Sequence, residues 1–343
     1  MDLHLFDLNL LVALDALLTE RNVTRAGNRL NLSQSAMSGA LARLRHYFHD
    51  ELLVPVGRQM ALTPVAEGLV EPVRDILLRI RGTLGSKPQF DPLTATRHMS
   101  LAVSDYVADI LMADVLRRAR LEAPQMTFEL RGVGRRATED LESGQLDFLI
   151  SPEGYVSPNH PTEVLFEDTY TCVAWAGNES IGTSLALEEY LNLGHVVVNV
   201  AGAEQPGSYD EQFLRRSNVK RRVEISVPTF NLAPQLVVGT GRVATITTRL
   251  AVKCAETLPL KLVPMPIAIP PMVEMVQWHE VHDDDPASQW FRRLLKEAVS
   301  DLPHEPPSIS DNGHVRQTRS VSRRRPRGPR RRPRTLKTVG VER

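Results

Sequence analysis

The sequence predicts an α/β fold class made of a small N-terminal winged helix-turn-helix unit, a long linker helix and a larger C-terminal α/β domain. Three observations lead to this prediction. Residues 22–48 have the pattern of two short helices joined by a tight turn, and residues 51–63 have that of a short hairpin. Beyond a glycine- and proline-rich hinge near residues 82–92, strand-like and helix-like segments alternate. A chain of 343 residues is long enough for two or three domains.

The second helix of the helix-turn-helix has one apolar and one polar face. Its apolar residues recur at 4-3-4 spacing and so share one side: Met37, Leu41, Leu44 and Phe48. The hydroxyls of Thr24 and Ser33 are predicted to cap the two helices. The polar side carries short polar groups near the helix start and cations farther along: Gln34, Ser35, Ser38, Arg43 and Arg45. Such a helix can enter the DNA major groove and hydrogen-bond to base edges, with one of the two arginines on a phosphate.

A hairpin tip and a long helix follow. Residues 51–54 and 61–63 are predicted strands, and the tip between them, the wing, carries Arg58 where it can reach the minor groove or a phosphate. Pro64 begins the next helix, because a missing amide costs little at a first helical position. The apolar residues of this helix form a stripe that needs a partner: Val65, Leu69, Val73, Ile76 and Ile80. The sequence therefore predicts a linker helix that dimerises.

The C-terminal half is predicted to hold eight strands and seven helices. The strands lie at 99–103, 127–131, 148–150, 171–175, 195–199, 222–227, 243–246 and 273–278, and the helices at 107–119, 137–143, 186–191, 209–216, 231–238, 249–254 and 286–299. This alternation predicts parallel sheets, and about 210 residues favour two sheets over one. Ligands of such sheets bind at the carboxyl ends of strands. Ser104 and Asp105 lie at such an end, where Ser104 either bonds a ligand or caps the next helix.

The net charge of zero hides an uneven distribution. Residues 1–90 hold 10 basic and 9 acidic side chains, residues 91–303 hold 19 and 29, and residues 304–343 hold 12 and 3. The last segment is rich in arginine, proline and serine and is predicted to be a disordered tail that either adds nonspecific phosphate affinity or has no dedicated role. No apolar run is long enough for a membrane span, and no secretory signal is recognised, so we expect a cytoplasmic protein.

Signals for catalysis and cofactors are weak. Gly132 and Gly134 form a GxGxxA pattern between a strand and a helix, but the rest of a dinucleotide-binding unit is missing, which favours a simple turn. Cys172 and Cys254 lie in no zinc or disulfide pattern, and no histidine spacing indicates a metal. No nucleophile elbow is present. We therefore expect no enzyme activity, no metal and no cofactor, with a nucleotide-dependent enzyme as the remote alternative.

The motifs described above resemble those of LysR-type transcriptional regulators. The resemblance covers residues 1–302 and is carried by these runs: Asp7-Leu8-Asn9-Leu10-Leu11, Thr24-Arg25-Ala26, Leu32-Ser33-Gln34-Ser35-Ala36-Met37-Ser38, Leu41-Ala42-Arg43-Leu44-Arg45 and Leu62-Thr63-Pro64. Further runs resemble the nodulation regulators and, less closely, the salicylate- and nitroaromatic-responsive regulators: 165–168, 221–224, 227–231, 244–245, 249–251 and 285–290. Two positions depart from the family pattern, because Gly39 and Pro55 stand where a basic or polar residue is common.

The resemblance implies a domain layout. Residues 1–63 would be the DNA-binding domain and residues 64–90 the linker and dimerisation helix with its hinge. Residues 91–302 would be an effector domain of two Rossmann-like subdomains, as in periplasmic binding proteins. Subdomain I would comprise about 91–165 and 270–302, and subdomain II about 166–269. Residues 303–343 would be the tail. The main alternative is a solute-binding protein of periplasmic type, which shares the two-lobed architecture.

The resemblance also implies site residues and partners. The DNA-binding residues that it implies are Gln34, Ser35, Ser38 and Arg58, and the pattern of the helix adds Ser33 and Arg43. Arg249 would bind an effector carboxylate, as in the salicylate-type regulators, with Ser104, Asp105, Thr169, Gln205 and Phe230 as further effector-binding candidates. Relatives often carry His at the positions of Thr169 and Gln205, so a different effector is expected. The partners would be promoter DNA, a small aromatic or flavonoid-like inducer, a second copy in a homodimer or homotetramer, and RNA polymerase.

Overall fold

The computed structural model describes residues 7–57, 59–85, 90–199, 208–302, 308–309 and 315–316. The N-terminal head and the linker consist of α1 (Asn9–Glu20), α2 (Val23–Arg29), α3 (Gln34–Phe48), β1 (Leu53–Val56), β2 (Gln59–Leu62) and α4 (Pro64–Gly85). Strands β1 and β2 pair in antiparallel fashion, with Val56 opposite Gln59. The order of elements confirms the predicted winged helix-turn-helix and the linker helix after it.

The core of the head forms where α1 meets the apolar side of α3. Leu14 of α1 is fully buried, and so are Met37 and Leu44 of α3, which confirms the predicted stripe. The Ser33 hydroxyl accepts from the Ala36 amide at 3.2 Å and caps α3 as predicted. The prediction for α2 was wrong: the side chain of Asn22 accepts from the Arg25 amide at 2.9 Å, and Thr24 already lies inside the helix.

The side of the linker helix that packs against the head is not the side that was predicted to be apolar. Ala66, Val73 and Leu77 are buried in the core of the head, whereas Val65 and Ile76 are 47% and 44% exposed. Helix α4 packs along α1. This contact buries Val73 of the predicted stripe and leaves Val65 and Ile76 uncovered. The helix also continues to Gly85, three residues past the point where the hinge was expected to begin.

Among the described residues between 90 and 302, ten strands form two sheets. In chain order its elements are β3 (His98–Ala102), α5 (Asp105–Val107), a π-helical turn (Ala108–Met112), α6 (Ala113–Glu122), β4 (Thr127–Arg131), α7 (Ala137–Glu142), β5 (Phe148–Pro152), β6 (Thr162–Asp168), β7 (Tyr170–Trp175), α8 (Leu187–Asn192), β8 (Gly194–Val198), α9 (Tyr209–Arg216), β9 (Arg222–Val227), β10 (Val243–Thr247), α10 (Thr248–Ala255), β11 (Leu260–Pro264), β12 (Met272–Gln277) and α11 (Pro286–Asp301). Short 3-10 turns lie at Glu153–Tyr155 and Glu280–His282. The first sheet has the strand order β4-β3-β5-β12-β6, and the second has the order β11-β7-β10-β8-β9.

The sheets are mixed rather than purely parallel, which corrects the prediction. In the first sheet β12 runs antiparallel to its neighbours β5 and β6, and in the second sheet β7 runs antiparallel to β10 and β11. Each of these is the first strand that the chain enters after crossing between the sheets. The outward crossing is a single residue, Thr169, between β6 and β7, whereas the return crossing takes residues 265–271.

Two strands and one helix of this half differ from prediction. Strands β6 and β11 were not predicted, and both lie at the edge of a sheet, where one side is uncovered and the hydrophobic pattern is weak. The terminal Pro264 of β11 also argues against a strand, although an edge tolerates it. The predicted helix at 231–238 is instead a run of turns, since Pro234 lacks the amide that a helix needs and disfavours helical geometry at Ala233.

Little of the predicted tail falls within the described residues. Ser308–Ile309 and Val315–Arg316 form a short antiparallel pair, β13 and β14, which was not predicted. The arginine-rich run at 323–334 lies outside the described residues. None of the helices within the described ranges is long and apolar enough to cross a membrane.

Candidate DNA-binding and effector sites

The first turn of α3 presents a polar surface to solvent. Gln34, Ser35 and Ser38 are all exposed, whereas Met37 and Leu44 of the same helix are buried. The cap residue Ser33 is also exposed, with its hydroxyl 3.0 Å from that of Ser35. Four of the predicted DNA-binding residues therefore lie together on one surface, and none of them is needed to fill the core. Side chains with both donors and acceptors at this place can hydrogen-bond to base edges.

The two arginines of α3 have different environments. Arg45 donates to the carbonyl oxygens of Glu51 and Leu53, at 2.8 and 2.9 Å, and so fastens the helix to the wing. Arg43 lies 3.3 Å from a carboxylate oxygen of Asp7, and both side chains are largely exposed. An exposed ion pair of this kind contributes little stability, and a phosphate group can replace the carboxylate. Arg43 is therefore the better placed of the two for DNA.

The remaining DNA candidate, Arg58, lies outside the described residues, as does Gln205 among the effector candidates. The neighbouring Gly57 occupies the left-handed region at φ +62°, which a hairpin tip requires and which glycine adopts without strain. The two strands that carry the tip are described, so the backbone on either side of position 58 is fixed by the β1–β2 pairing.

A substitution at Gly39 tests whether the low positive charge of the head limits its affinity for DNA. A Cβ atom at Gly39 would meet no other atom within 4 Å, and the residue is exposed on α3. Gly39→Arg is expected to raise promoter affinity several-fold, because it adds one cation beside the DNA-reading turn, and to steepen the salt dependence by about one unit of slope. Fluorescence anisotropy at several salt concentrations measures both. Gly39→Ala gains the same helix propensity without charge, so equal affinity of the two variants would contradict this expectation.

In the effector domain, Ser104 and Asp105 have distinct roles. The Ser104 hydroxyl accepts from the Val107 amide at 3.1 Å, so this residue caps the helix that begins at Asp105. The Asp105 carboxylate accepts from the amides of Phe230 and Asn231, at 3.0 and 2.7 Å. These two bonds join the loop after β3 of the first sheet to the loop after β9 of the second sheet. Asp105 therefore holds the two subdomains together at the carboxyl ends of their strands.

Arg249 makes a second connection between the subdomains. Arg249 is the second residue of α10 in the second subdomain. Its backbone amide donates to the carboxylate of Asp168 at the end of β6, 3.2 Å away. Its guanidinium lies 3.4 Å from the Glu167 carbonyl oxygen and 5.8 Å from the ring centre of Phe166. The residue is 6% exposed. An effector carboxylate can pair with this guanidinium only if the subdomains move enough to uncover it.

Thr169 and Phe230 lie at the same junction. The hydroxyl of Thr169 is 2.8 Å from that of Thr248, the residue before Arg249. The Phe230 ring is 6.2 Å from the ring of Tyr106, which follows Asp105. The structure thus brings together five of the six effector candidates around the crossing between the sheets, and each already makes a contact there.

Sequence reasoning missed a buried acidic group at this junction. Asp168 and Glu274 occupy neighbouring strands, and Tyr106 donates to Asp168 at 2.6 Å. Burial raises the pKa of Asp168 to about 6, and burial together with the nearby Asp168 raises the pKa of Glu274 to about 8. The raised pKa favours the protonated form of Glu274. One sign of this acidic group was visible in the sequence, a glutamate inside the largely apolar strand 272–277. Its role could not be inferred without knowing which strand pairs with it.

The GxGxxA segment forms an arginine-rich cavity rather than a dinucleotide-binding turn. The cavity has a volume of about 410 Å³, lies at the carboxyl ends of β3 and β4, and is lined by Ala102, Arg131, Gly132, Gly134, Arg135, Arg136, Ala137, Asp140 and Leu146. Two arginines have acidic partners, Arg131 at 2.6 Å from Glu129 and Arg136 at 3.2 Å from Glu139. The helix that follows has only six residues.

The structure places both cysteines and the candidate metal ligands of the described residues. Cys172 is buried and Cys254 is half-buried, and the thiols are not bonded to each other. Within the described ranges, no group of three or more His, Cys, Asp or Glu side chains is arranged to hold a metal ion.

The chain matches two family descriptions. Residues 8–67 match "Bacterial regulatory helix-turn-helix protein, lysR family", and residues 94–300 match "LysR substrate binding domain". Nodulation protein D from Bradyrhizobium sp. (strain ANU 289) is 42% identical over 305 residues, which is 88% of this chain and 90% of the relative. Nodulation protein D 2 from Rhizobium tropici is 42% identical over 309 residues, which is 90% of this chain and 98% of the relative.

Solved structures agree with these matches. A protein described as a probable transcriptional regulator from Pseudomonas aeruginosa shares 33% identity at a TM-score of 0.59, covering 86% of this chain and 98% of its own. A full-length OxyR variant from the same organism has a TM-score of 0.63 at 16% identity, covering 86% and 94%, and supports the fold alone. The helix-turn-helix match excludes the solute-binding alternative, and the relatives are transcriptional regulators. The protein belongs to the LysR family of transcriptional regulators, with a DNA-binding helix-turn-helix head and an effector-binding domain.

Proposed function

We propose that this regulator responds to a small aromatic or phenolic effector, flavonoid-like in its chemistry, that binds between the two subdomains and changes the affinity for promoter DNA. The observation that carries the proposal is the pair of hydrogen bonds that the Asp105 carboxylate accepts from the amides of Phe230 and Asn231. A ligand that enters between these loops must compete with the bonds or reinforce them. Either effect changes how the subdomains close.

The side chains at the junction support an aromatic effector. The ring of Tyr106 lies 6.3 Å from that of Phe166 and 6.2 Å from that of Phe230, so an effector ring would find aromatic neighbours on both sides of the cleft. A phenolic hydroxyl can donate to Asp168, and a carboxylate can pair with Arg249 once the cleft opens. The resemblance to nodulation regulators points to the same class of compound.

The partners in this proposal are promoter DNA, a second copy of the chain and RNA polymerase, in the cytoplasm. The exposed Val65 and Ile76 of the linker helix support association of two copies through α4, since apolar side chains on such a helix gain from a partner. A homodimer or homotetramer would place two heads on an imperfect inverted repeat. Binding of the effector would change their spacing, a coupling of about 1–3 kcal/mol in typical cases.

A thermal-shift screen of the full chain tests the effector class. Aromatic acids, flavonoids and aliphatic acids of matched charge are compared at equal concentrations. A true effector at 100 times its dissociation constant adds about 2.7 kcal/mol of stability, so the aromatic set is expected to contain compounds that raise the Tm. Stabilisation by aliphatic acids alone would overturn the proposal.

The variant Phe230→Ala serves as the matched control in the same screen. It removes one ring of the junction but leaves the Phe230 amide, and hence its bond to Asp105, in place. The aromatic compounds that stabilise the wild-type chain are expected to lose most of their effect on this variant. Promoter footprinting with and without each stabilising compound then separates effectors, which change the protection pattern, from ligands that only bind.

A further inference from the structure

The linker helix α4 lies between the head and the first subdomain. One line of the helix is buried in the core of the head and consists of Ala66, Val73 and Leu77. On another side of the helix, Arg79 pairs with Glu280 of the first subdomain at 2.9 Å. Because successive residues of a helix are rotated by about 100°, positions 74 and 78 lie between these two sides. Side chains at these two positions can therefore reach both parts of the molecule.

Leu78 gives α4 a defined position on the first subdomain. The side chain is buried, and it lies against Gly144 in the turn after α7. A Cβ atom built on Gly144 would overlap with Cδ2 of Leu78. The fit between helix and turn thus leaves no room for a side chain at position 144. The docked position of α4 is specific in shape.

Arg74 lies one helical turn before Leu78 and faces carboxylates from both parts of the molecule. Its Nε atom is 3.8 Å from the carboxylate of Asp15, in α1 of the head. Its Nη1 atom is 3.9 Å from the carboxylate of Glu142, in α7 of the first subdomain. All three side chains are largely buried, so solvent and salt screen these ion pairs only weakly.

Neither carboxylate holds Arg74 by a hydrogen bond. Both distances exceed the range of about 2.7–3.2 Å for an N–H···O bond. The Nε atom is buried and has no hydrogen-bond partner among the described residues. The guanidinium group is therefore attracted by two carboxylates and fully engaged by neither.

A cavity beside Arg74 leaves room for its side chain to move. The cavity has a volume of about 250 Å³ and lies between α4 and the first subdomain. Its lining comes from α4, from α7, from the loop before β6 and from the turn after β12: Glu71, Arg74, Asp75, Glu142, Asn159, His160, His279 and Glu280. A shift of the guanidinium by about 1 Å, which either hydrogen bond requires, needs no rearrangement of a packed core.

We propose that Arg74 is a shared cation that couples the position of the first subdomain to the head. When Glu142 approaches α4, it draws the guanidinium away from Asp15 and weakens the contact between α1 and α4. When Glu142 moves away, the guanidinium closes on Asp15 and strengthens that contact. Such a coupling is reciprocal, so the state of Asp15 also affects how firmly α7 is held.

The other charges near Asp15 limit the size of the effect. Arg29 of α2 lies 3.9 Å from Asp15 and belongs wholly to the head. Asp15 therefore keeps one cation when Arg74 moves towards Glu142. The coupling adjusts the strength of the α1–α4 contact and does not open the core of the head.

Hydrogen exchange of the full chain at pH 7.5 tests the proposal. Glu142→Gln removes one of the two charges that attract Arg74 and is expected to raise the protection of α1 by about two- to fivefold. Asp15→Asn is the reciprocal change and is expected to raise the protection of α7. The experiment needs no effector, so its outcome does not depend on the class of effector proposed above.

A double-mutant cycle shows whether Arg74 carries the effect. Arg74→Met keeps an unbranched side chain of similar length but has no charge. In this background, Glu142→Gln is expected to leave the exchange of α1 unchanged, and Asp15→Asn that of α7. If Arg74→Met does not fold, Arg74→Gln takes its place with the same expectation.

Two neighbouring glutamates serve as matched controls. Glu139 lies one turn earlier on α7 and pairs with Arg136, so Glu139→Gln is expected to leave the exchange of α1 unchanged. Glu20 lies on α1 and pairs with Arg25 and Arg29, so Glu20→Gln is expected to leave the exchange of α7 unchanged. The proposal is overturned if Glu142→Gln does not raise the protection of α1, or if the rise is the same without the charge at position 74.

Discussion

Alanine at both Gln34 and Ser38 is expected to lower affinity for the promoter by about 100-fold or more while leaving affinity for unrelated DNA nearly unchanged. Both side chains are exposed on the first turn of α3, and a good contact to a base edge contributes about 1–3 kcal/mol of discrimination. The core below them, with Met37 and Leu44, is untouched. The variant should therefore fold normally and lose specificity, which anisotropy with promoter and scrambled duplexes measures directly.

Arg43→Ala provides the contrast for this experiment. A phosphate contact carries no sequence information, so its loss is expected to weaken binding to both duplexes alike and to reduce the salt slope by about one unit. Gln34→Ala with Ser38→Ala should leave that slope unchanged. Equal losses on promoter and scrambled DNA for the Gln34 and Ser38 variant would show that this turn does not read bases.

The second large effect is expected at Asp105. Replacement by alanine removes the acceptor for two amides in the other subdomain, those of Phe230 and Asn231, and hydrogen bonds to a charged group contribute about 1.5–3 kcal/mol each. We expect the closed arrangement to weaken by about 2–4 kcal/mol, allowing for the partial exposure of this carboxylate. Because the lost bonds are local to the junction of the subdomains, the readout is hydrogen exchange at these two amides.

Asp105→Asn is the matched control for that variant. The amide side chain has nearly the same shape and keeps one acceptor oxygen, but it places an NH₂ group against one of the two backbone donors. Its effect should be intermediate. If Asp105→Ala leaves exchange at residues 230 and 231 at the wild-type rate, the subdomains are held by other contacts, and the effector proposal loses its main support.

Local patterns predicted the head better than the rest of the chain. The Met37, Leu41 and Leu44 stripe and the Ser33 cap involve residues at most four positions apart, so their arrangement follows from helix geometry alone. The side of α4 that faces the core was not predictable in this way. It depends on where α1 lies, and Ile76 has an apolar side chain although it is exposed.

The candidate effector site shows the same limit more clearly. Sequence reasoning selected Asp105, Phe230 and Arg249, but it could not show that they already contact the opposite subdomain, since their partners lie far away in the chain. The acidic pair of Asp168 and Glu274 was missed because only strand pairing brings these residues together. Similarly, His160 and His279 share no local motif, and they meet because β6 and β12 are neighbours in the first sheet.

The unequal crossings between the two sheets determine what kind of motion the effector domain allows. Thr169 alone spans the outward crossing, so the strands on either side of it cannot be drawn apart, whereas the return segment at 265–271 is longer. The lobes must therefore swing about a pivot at Thr169 rather than slide past each other or separate. A small rotation at Thr169 therefore moves the far ends of the lobes by a larger distance than it moves the residues near the crossing.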